Sequence, residues 1–232
     1  WDGRSATLED QILEPVVDPI EMDDSWPNVL AKLDSDTMYQ RMFYEAFGII
    51  EFDSTHVAKA IAQFLRTLVS GNSRWDQWSR GELLLTSDEF EGFDLFRSLT
   101  GADCFHCHPH SSRLFTDHSY SNNGLDLVHL DNGLGDVTGN TFDNGKFKVP
   151  SLRNVEFSAP YMHDGRFSSL DEVIDHYSDH IESSSPNISP LIEFAAVGGV
   201  GLTATQKYQV KAFLKSLSDM EFINNPDFTS PF

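Results

Sequence analysis

The chain has 232 residues, 40% of them apolar and 12% aromatic, enough for one large or two small domains around a buried core. Its formal charge is −20, from 16 basic and 36 acidic residues. A field of that sign repels nucleic acid and anionic lipid and draws basic partners, and no run of about 20 apolar residues is present to span a bilayer.

Thr7 and Asp10 read as a capping box ahead of Leu8, Gln11 and Ile12, and Pro15 and Pro19 are expected to break this helix into a loop ending at Glu21 and Met22. Ser25 and Pro27 open a short second helix. Met38, Met42, Phe43 and Phe47 fall at helical spacing between Asp36 and Phe47. The clearest early helix runs from Thr55, its expected cap, to Val69, with Val57, Ile61, Phe64, Leu65 and Leu68 on one face. Residues 71–81 are polar and punctuated by tryptophan, so a boundary is placed there, giving domains 1–75 and 76–232. Ser87 opens a helix through Phe90, Phe93, Phe96 and Leu99.

Residues 109–150 carry Gly124, Gly133, Gly135, Gly139 and Gly145 and read as long loops, a pattern that usually carries function. Ser168 with Asp171 is expected to start a helix bearing Leu170, Val173, Ile174 and Tyr177 on one face. Residues 183–201 form a Ser/Pro/Gly loop. Thr203 with Gln206 starts the last helix, whose stripe is Val210, Phe213, Leu214 and Leu217, and the residues from Asn224 read as a tail. No internal repeat and no strand pattern emerges, so the fold class is mostly α.

Between the third-last helix and the glycine-rich loops lies Cys104-Phe105-His106-Cys107-His108. This C-x-x-C-H spacing is the attachment signal of a c-type haem: two thiols three apart meet the two vinyl groups of a porphyrin, and the adjacent imidazole can bind iron. Cys104 and Cys107 are the only cysteines in the chain, so a four-ligand zinc site lacks a second pair, although a disulfide or a zinc knuckle using His106 and His110 stays open. Covalent haem attachment takes place outside the cytoplasm, so a periplasmic or otherwise exported protein is expected, shown after processing. The start at Trp1-Asp2-Gly3-Arg4 reads as the middle of a domain. His56, His110, His118, His129, His176 and His180 have no ligand spacing and read as surface residues.

Two stretches add a resemblance. KFKVPSLRNVEFSAPYMHDGRFSSLDEVIDHY, residues 146–177, and WDGRSATLEDQILEPVVDPIEM, residues 1–22, resemble signatures of the bacterial di-haem cytochrome c peroxidases, which include the MauG-like enzymes. The resemblance implies two cytochrome-c-like domains with one haem c each, the N-terminal one meeting peroxide and the C-terminal one passing electrons. Here the chain departs from the pattern, because it holds one C-x-x-C-H motif. The first haem segment is expected on a missing N-terminal stretch or a separate chain, residues 1–75 being the rear part of the peroxidatic domain. A mono-haem electron-transfer subunit is the alternative.

Residue by residue, the resemblance makes His108 the proximal ligand and Tyr177, fourteen positions after His163, the distal one. A phenolate there suits Fe(III) and Fe(IV), whereas a thioether raises the potential. Met162 is the rival ligand, and His163 and Asp164 shape the surrounding loop. Gln11 and Glu21 match the pair that handles peroxide in the first pocket, Glu21 moving the proton and Gln11 orienting the peroxide, with Pro15 on the same wall. Trp1 matches the residue between the haems. Arg153 and Lys148 are candidate propionate partners. The carbonyls of Ser158 and Pro160 match positions that bind Ca²⁺. Ala102 stands where MauG-like enzymes that act on a protein carry a surface Trp. A small soluble redox protein or a protein substrate is the implied partner, and hydrogen peroxide the implied oxidant.

Overall fold

The structure is a computed structural model and describes residues 1–229. It contains α1 (Leu8–Val17), α2 (Trp26–Asp34), α3 (Thr37–Phe47), α4 (Ser54–Thr67), α5 (Arg74–Ser79), α6 (Ser87–Phe96), α7 (Leu134–Thr138), α8 (Leu170–Asp179), α9 (Ala204–Ser216) and α10 (Met220–Ile223). The strands are the two-residue antiparallel pair β1 (Tyr120–Ser121) and β2 (Phe147–Lys148), with Tyr120 opposite Lys148. The mostly helical class is that of cytochrome-c-like domains. Among the described residues no helix is long and apolar enough to cross a membrane.

The chain divides into two compact units, residues 4–69 and residues 1–3 with 70 onward. The division falls at Val69 and Ser70 rather than at 75 and 76. The physical reason is α5, which lay hidden inside the polar stretch. Ser73 caps it through a box with Asp76, Trp75 packs edge-on to Phe115 at 4.8 Å, and Asp76 takes both guanidinium nitrogens of Arg153 at 2.8 Å. Just before it, the buried Asp219 carboxylate accepts from the backbone of Gly71 and Asn72 at 2.9 and 2.8 Å.

In the smaller unit α1 lies against α4, where Ala58 and Ala62 are fully buried and their small side chains permit a close approach. Arg66 reaches back to both oxygens of Glu9 at 2.7 and 3.1 Å. Phe43 stacks on Phe52 with ring centres 4.1 Å apart. Contrary to expectation, Pro15 does not end α1; the helix continues to Val17, because a proline removes one backbone donor without forcing an end when the chain beyond it is pinned. That pin is the turn after it, where the N–H groups of Met22 and Asp24 donate to the carbonyls of Pro15 and Val16. Asp53, not Thr55, caps α4.

The larger unit is built on α6 and α9, which form the most intimate helix pairing. Gly92 makes this possible, because a Cβ there would stand 1.9 Å from the Gln209 carbonyl oxygen. Phe96, Phe115, Phe213 and Leu217 are fully buried at the centre, with α8 adding Leu170 and Ile174. The cap of α8 is Ser169 with Glu172, one residue later than predicted, since the Ser169 hydroxyl accepts from the Glu172 N–H at 3.3 Å while the Glu172 carboxylate accepts from the Ser169 N–H at 2.9 Å. The expected C-terminal tail begins with a short helical turn at Pro226–Phe228.

Candidate cofactor site

The C-x-x-C-H segment forms a single tight turn. Asp103 enters it in the left-handed region, φ 53°, and the N–H of His108 donates to the Cys104 carbonyl at 3.0 Å. Both thiols are free and partly buried. Burial pushes the Cys104 thiol up to about 12, helped by the Asp103 and Cys107 charges, and burial also raises Cys107. A redox pair or a nucleophile needs the opposite, a depressed thiol. The environment therefore suits sulfur held in a covalent bond. Burial lifts Asp103 itself to about 6, moderated by the His106 ring 3.0 Å away.

His108 Nδ1 lies 2.8 Å from the carbonyl oxygen of Phe115. A carbonyl only accepts, so Nδ1 carries the proton and Nε2 keeps its lone pair. Burial, the larger influence, lowers the imidazole's proton affinity, and the Phe115 carbonyl works against it. A neutral imidazole with a fixed tautomer is the form that binds a metal. Phe115 offers its carbonyl from a left-handed backbone, φ 53°, with its ring fully buried.

His108, Cys104 and Cys107 line a cavity with about 1470 Å³ of atom-free space, part of it open to solvent. Its walls are largely apolar, with Phe96, Leu152, Val173, Ile174 and Leu214 among them. Tyr177 and Met162 line the same cavity, as do Trp1, Lys148 and His163. A thiol pair, a one-sided imidazole and apolar walls fit a covalently held haem.

Tyr177 points from α8 into this space, and its oxygen accepts from Asn123 Nδ2 at 3.2 Å. Burial pushes the phenol up to about 12, with the Asn123 hydrogen bond opposing. Met162, at φ 72°, places its sulfur 3.4 Å from the same Nδ2. His163 stacks on Phe147 at 3.6 Å, and Asp164 pairs with Arg166 at 2.8 Å. Trp1 is 56% exposed, and its carbonyl accepts from the Lys148 N–H at 2.9 Å.

Arg153 departs from the expectation. It does not line the cavity; its guanidinium is taken by Asp76 and the Arg113 carbonyl, which leaves Lys148 as the cation on the wall. Ser158 and Pro160 sit on an exposed turn, and among the described residues no three His, Cys, Asp or Glu side chains converge as a metal set. Gln11 and Glu21 belong to the smaller unit, and both are exposed. The turn after α1 lays Glu21 and Met22 alongside Pro15, one helical turn from Gln11.

Four histidines read as surface residues are not fully exposed: His56, His110 and His129 are half-buried and His176 is buried. His176 is 4% exposed, and its ring Nε2 donates to the Asn123 carbonyl at 3.0 Å. His110 is half-buried, edge-on to Phe93 at 5.4 Å. Asn123 itself gave no sequence signal beyond a turn-forming Ser-Asn-Asn-Gly.

Known proteins bear on this site. A family model described as di-haem cytochrome c peroxidase matches residues 1–83. A MauG-like protein associated with microbial copper homeostasis, solved as a crystal structure, shares 36% identity at TM-score 0.85, covering 97% of this chain and 72% of that one. The chain belongs to the di-haem cytochrome c peroxidase family. Within it, the methylamine utilization protein MauG of Methylophilus methylotrophus is 36% identical over 187 residues, 80% of this chain and 55% of that protein. The cytochrome c551 peroxidase of Nitrosomonas europaea is 35% identical over 180 residues, 75% of this chain and 52% of that protein. The chain thus spans about half the length of these curated relatives. Membership in the family implies haem c, and the cavity of the larger unit is built to receive it.

Proposed function

We propose that this chain is the C-terminal haem-bearing part of a peroxidase-type oxidoreductase that reduces hydrogen peroxide or uses it to oxidise a partner. The observation that carries the reading is the tautomer-fixed His108 in one apolar cavity with two partly buried thiols and Tyr177. When bound, the haem supplies one-electron chemistry at iron. The chain's residues do the rest. Cys104 and Cys107 would tether the ring, and His108 would offer Nε2 while the Phe115 carbonyl keeps the proton on Nδ1. Tyr177 offers a hard oxygen donor, and the apolar walls exclude water. In the smaller unit Glu21 would move a proton from one peroxide oxygen to the other, while the reduction of hydrogen peroxide to two waters takes up two electrons and two further protons from outside. Gln11 orients the peroxide.

The reading includes a first haem on an N-terminal segment or separate chain, an exported location, and a small basic redox protein as electron donor. It also includes a Ca²⁺ held by the carbonyls of Ser158 and Pro160. These rest on the family resemblance, and the donor also on the charge of −20. A mono-haem relay would agree with the single C-x-x-C-H motif, but the relatives favour a peroxidase.

The test is a Glu21→Gln variant of the intact native protein. Peroxide turnover should fall about 10²-fold or more, the usual share of a general acid–base, with the haem count by pyridine haemochrome unchanged at two per assembly. Unchanged turnover removes Glu21 from the chemistry, and one haem with no peroxide activity favours the relay.

A further inference from the structure

Asn123 joins the two possible axial donors in the cavity. Its Nδ2 lies 3.2 Å from the Tyr177 oxygen and 3.4 Å from the Met162 sulfur. A side-chain amide nitrogen has two N–H bonds, and a thioether can only accept. The nitrogen must therefore be the end that faces Met162, which makes Tyr177 an acceptor as well. One N–H serves each atom. The N–H to the phenol oxygen orients that oxygen in the cavity, and the N–H to sulfur takes one of the two lone pairs of the thioether.

The backbone that carries the amide is held at Asn123 and at both its neighbours. The carbonyl of Asn123 accepts from His176 at 3.0 Å, one residue before Tyr177 on α8. The preceding Asn122 is 2% exposed and donates to the Pro186 carbonyl at 2.7 Å. The following Gly124 accepts from the Glu182 N–H at 2.8 Å. Its φ is +69°, and a Cβ there would meet Ile181 at 2.7 Å. Two neighbouring residues of α8 thus grip Asn123, His176 by its backbone and Tyr177 by its side chain.

We propose that Asn123 is the positioning residue that selects the Tyr177 oxygen over the Met162 sulfur as the donor opposite His108. This rests on the reading of Tyr177 as an axial donor. The selection is double: the amide orients the oxygen and ties the sulfur back through one of its two lone pairs.

The test uses the haem-loaded ferric protein and reads ligation directly. Wild type should show a tyrosinate-to-iron signature in resonance Raman that Tyr177→Phe removes. Asn123→Leu should lose that signature and gain thioether ligation by near-infrared magnetic circular dichroism, with a raised reduction potential. Asn123→Asp keeps the shape and removes the donor, so it should do the same if the leucine variant does not fold. Adding Met162→Leu to either variant should abolish the sulfur signature. Retention of the tyrosinate signature in both Asn123 variants would overturn the proposal, as would its loss without sulfur taking its place. A wild-type spectrum insensitive to Tyr177→Phe would instead sink the axial reading beneath it, a distinguishable failure.

Discussion

Asp76 and Arg153 form the most buried ion pair among the described residues, with 6% and 9% of their side chains exposed. Burial works to raise the Asp76 carboxyl, and the Arg153 guanidinium with the Ser73 hydroxyl outweigh it, so it sits below the usual carboxylate range. Asp76→Asn leaves the Arg153 charge buried without a counter-charge and should cost about 3–5 kcal/mol in urea unfolding at neutral pH. Because the folded value is depressed, the stabilisation is full above the unfolded value of about 4 and fades as pH falls through the lower folded one. The gap between wild type and variant should therefore close in acid; a gap independent of pH would deny the pair its electrostatic role. The pairing itself was illegible in sequence, where Arg153 reads as a propionate partner, since its acid lies 77 residues away. The same holds for Asn123 and its Tyr177 contact across 54 residues, and for His176. C-x-x-C-H was legible because covalent attachment confines its chemistry to five consecutive residues.

Helices were legible where one face carries the core. The stripe of Val210, Phe213, Leu214 and Leu217 on α9 is buried as its spacing predicts. Their starts were less so. Ser168 and Ser169 are equivalent to a sequence reader, and what decides between them is that the Ser169 hydroxyl accepts from the Glu172 N–H. The six-residue α5 is too short for a periodic signal, and its existence depends on tertiary partners. The α6–α9 crossing gives a test at this scale. Gly92→Ala would drive a Cβ into the Gln209 carbonyl and to 2.9 Å from Phe213 Cβ. The expected loss is about 1–3 kcal/mol, or about 2–4 °C in Tm for each kcal/mol in a protein this size, read by thermal circular dichroism. An unchanged midpoint would mean that the two helices part without cost.

For the molecule as a whole, the charge of −20 would govern how the proposed basic redox partner arrives. Association with a basic redox protein should slow steeply as salt rises toward and beyond about 0.1 M, where screening acts within about 10 Å. Stopped-flow rates that ignore salt would point to an apolar dock instead. Family and mostly helical class were readable from two signatures and a motif, whereas the two compact units follow contacts that no local pattern shows.

The Phe115 carbonyl that fixes His108 is carried by a residue whose ring meets Trp75 at 4.8 Å and Phe96 at 6.0 Å. Any loosening among those rings displaces a single oxygen, and the electron richness of the imidazole changes with it. With the proposed haem bound, the reduction potential would in that sense follow the steric fit of the aromatic interior.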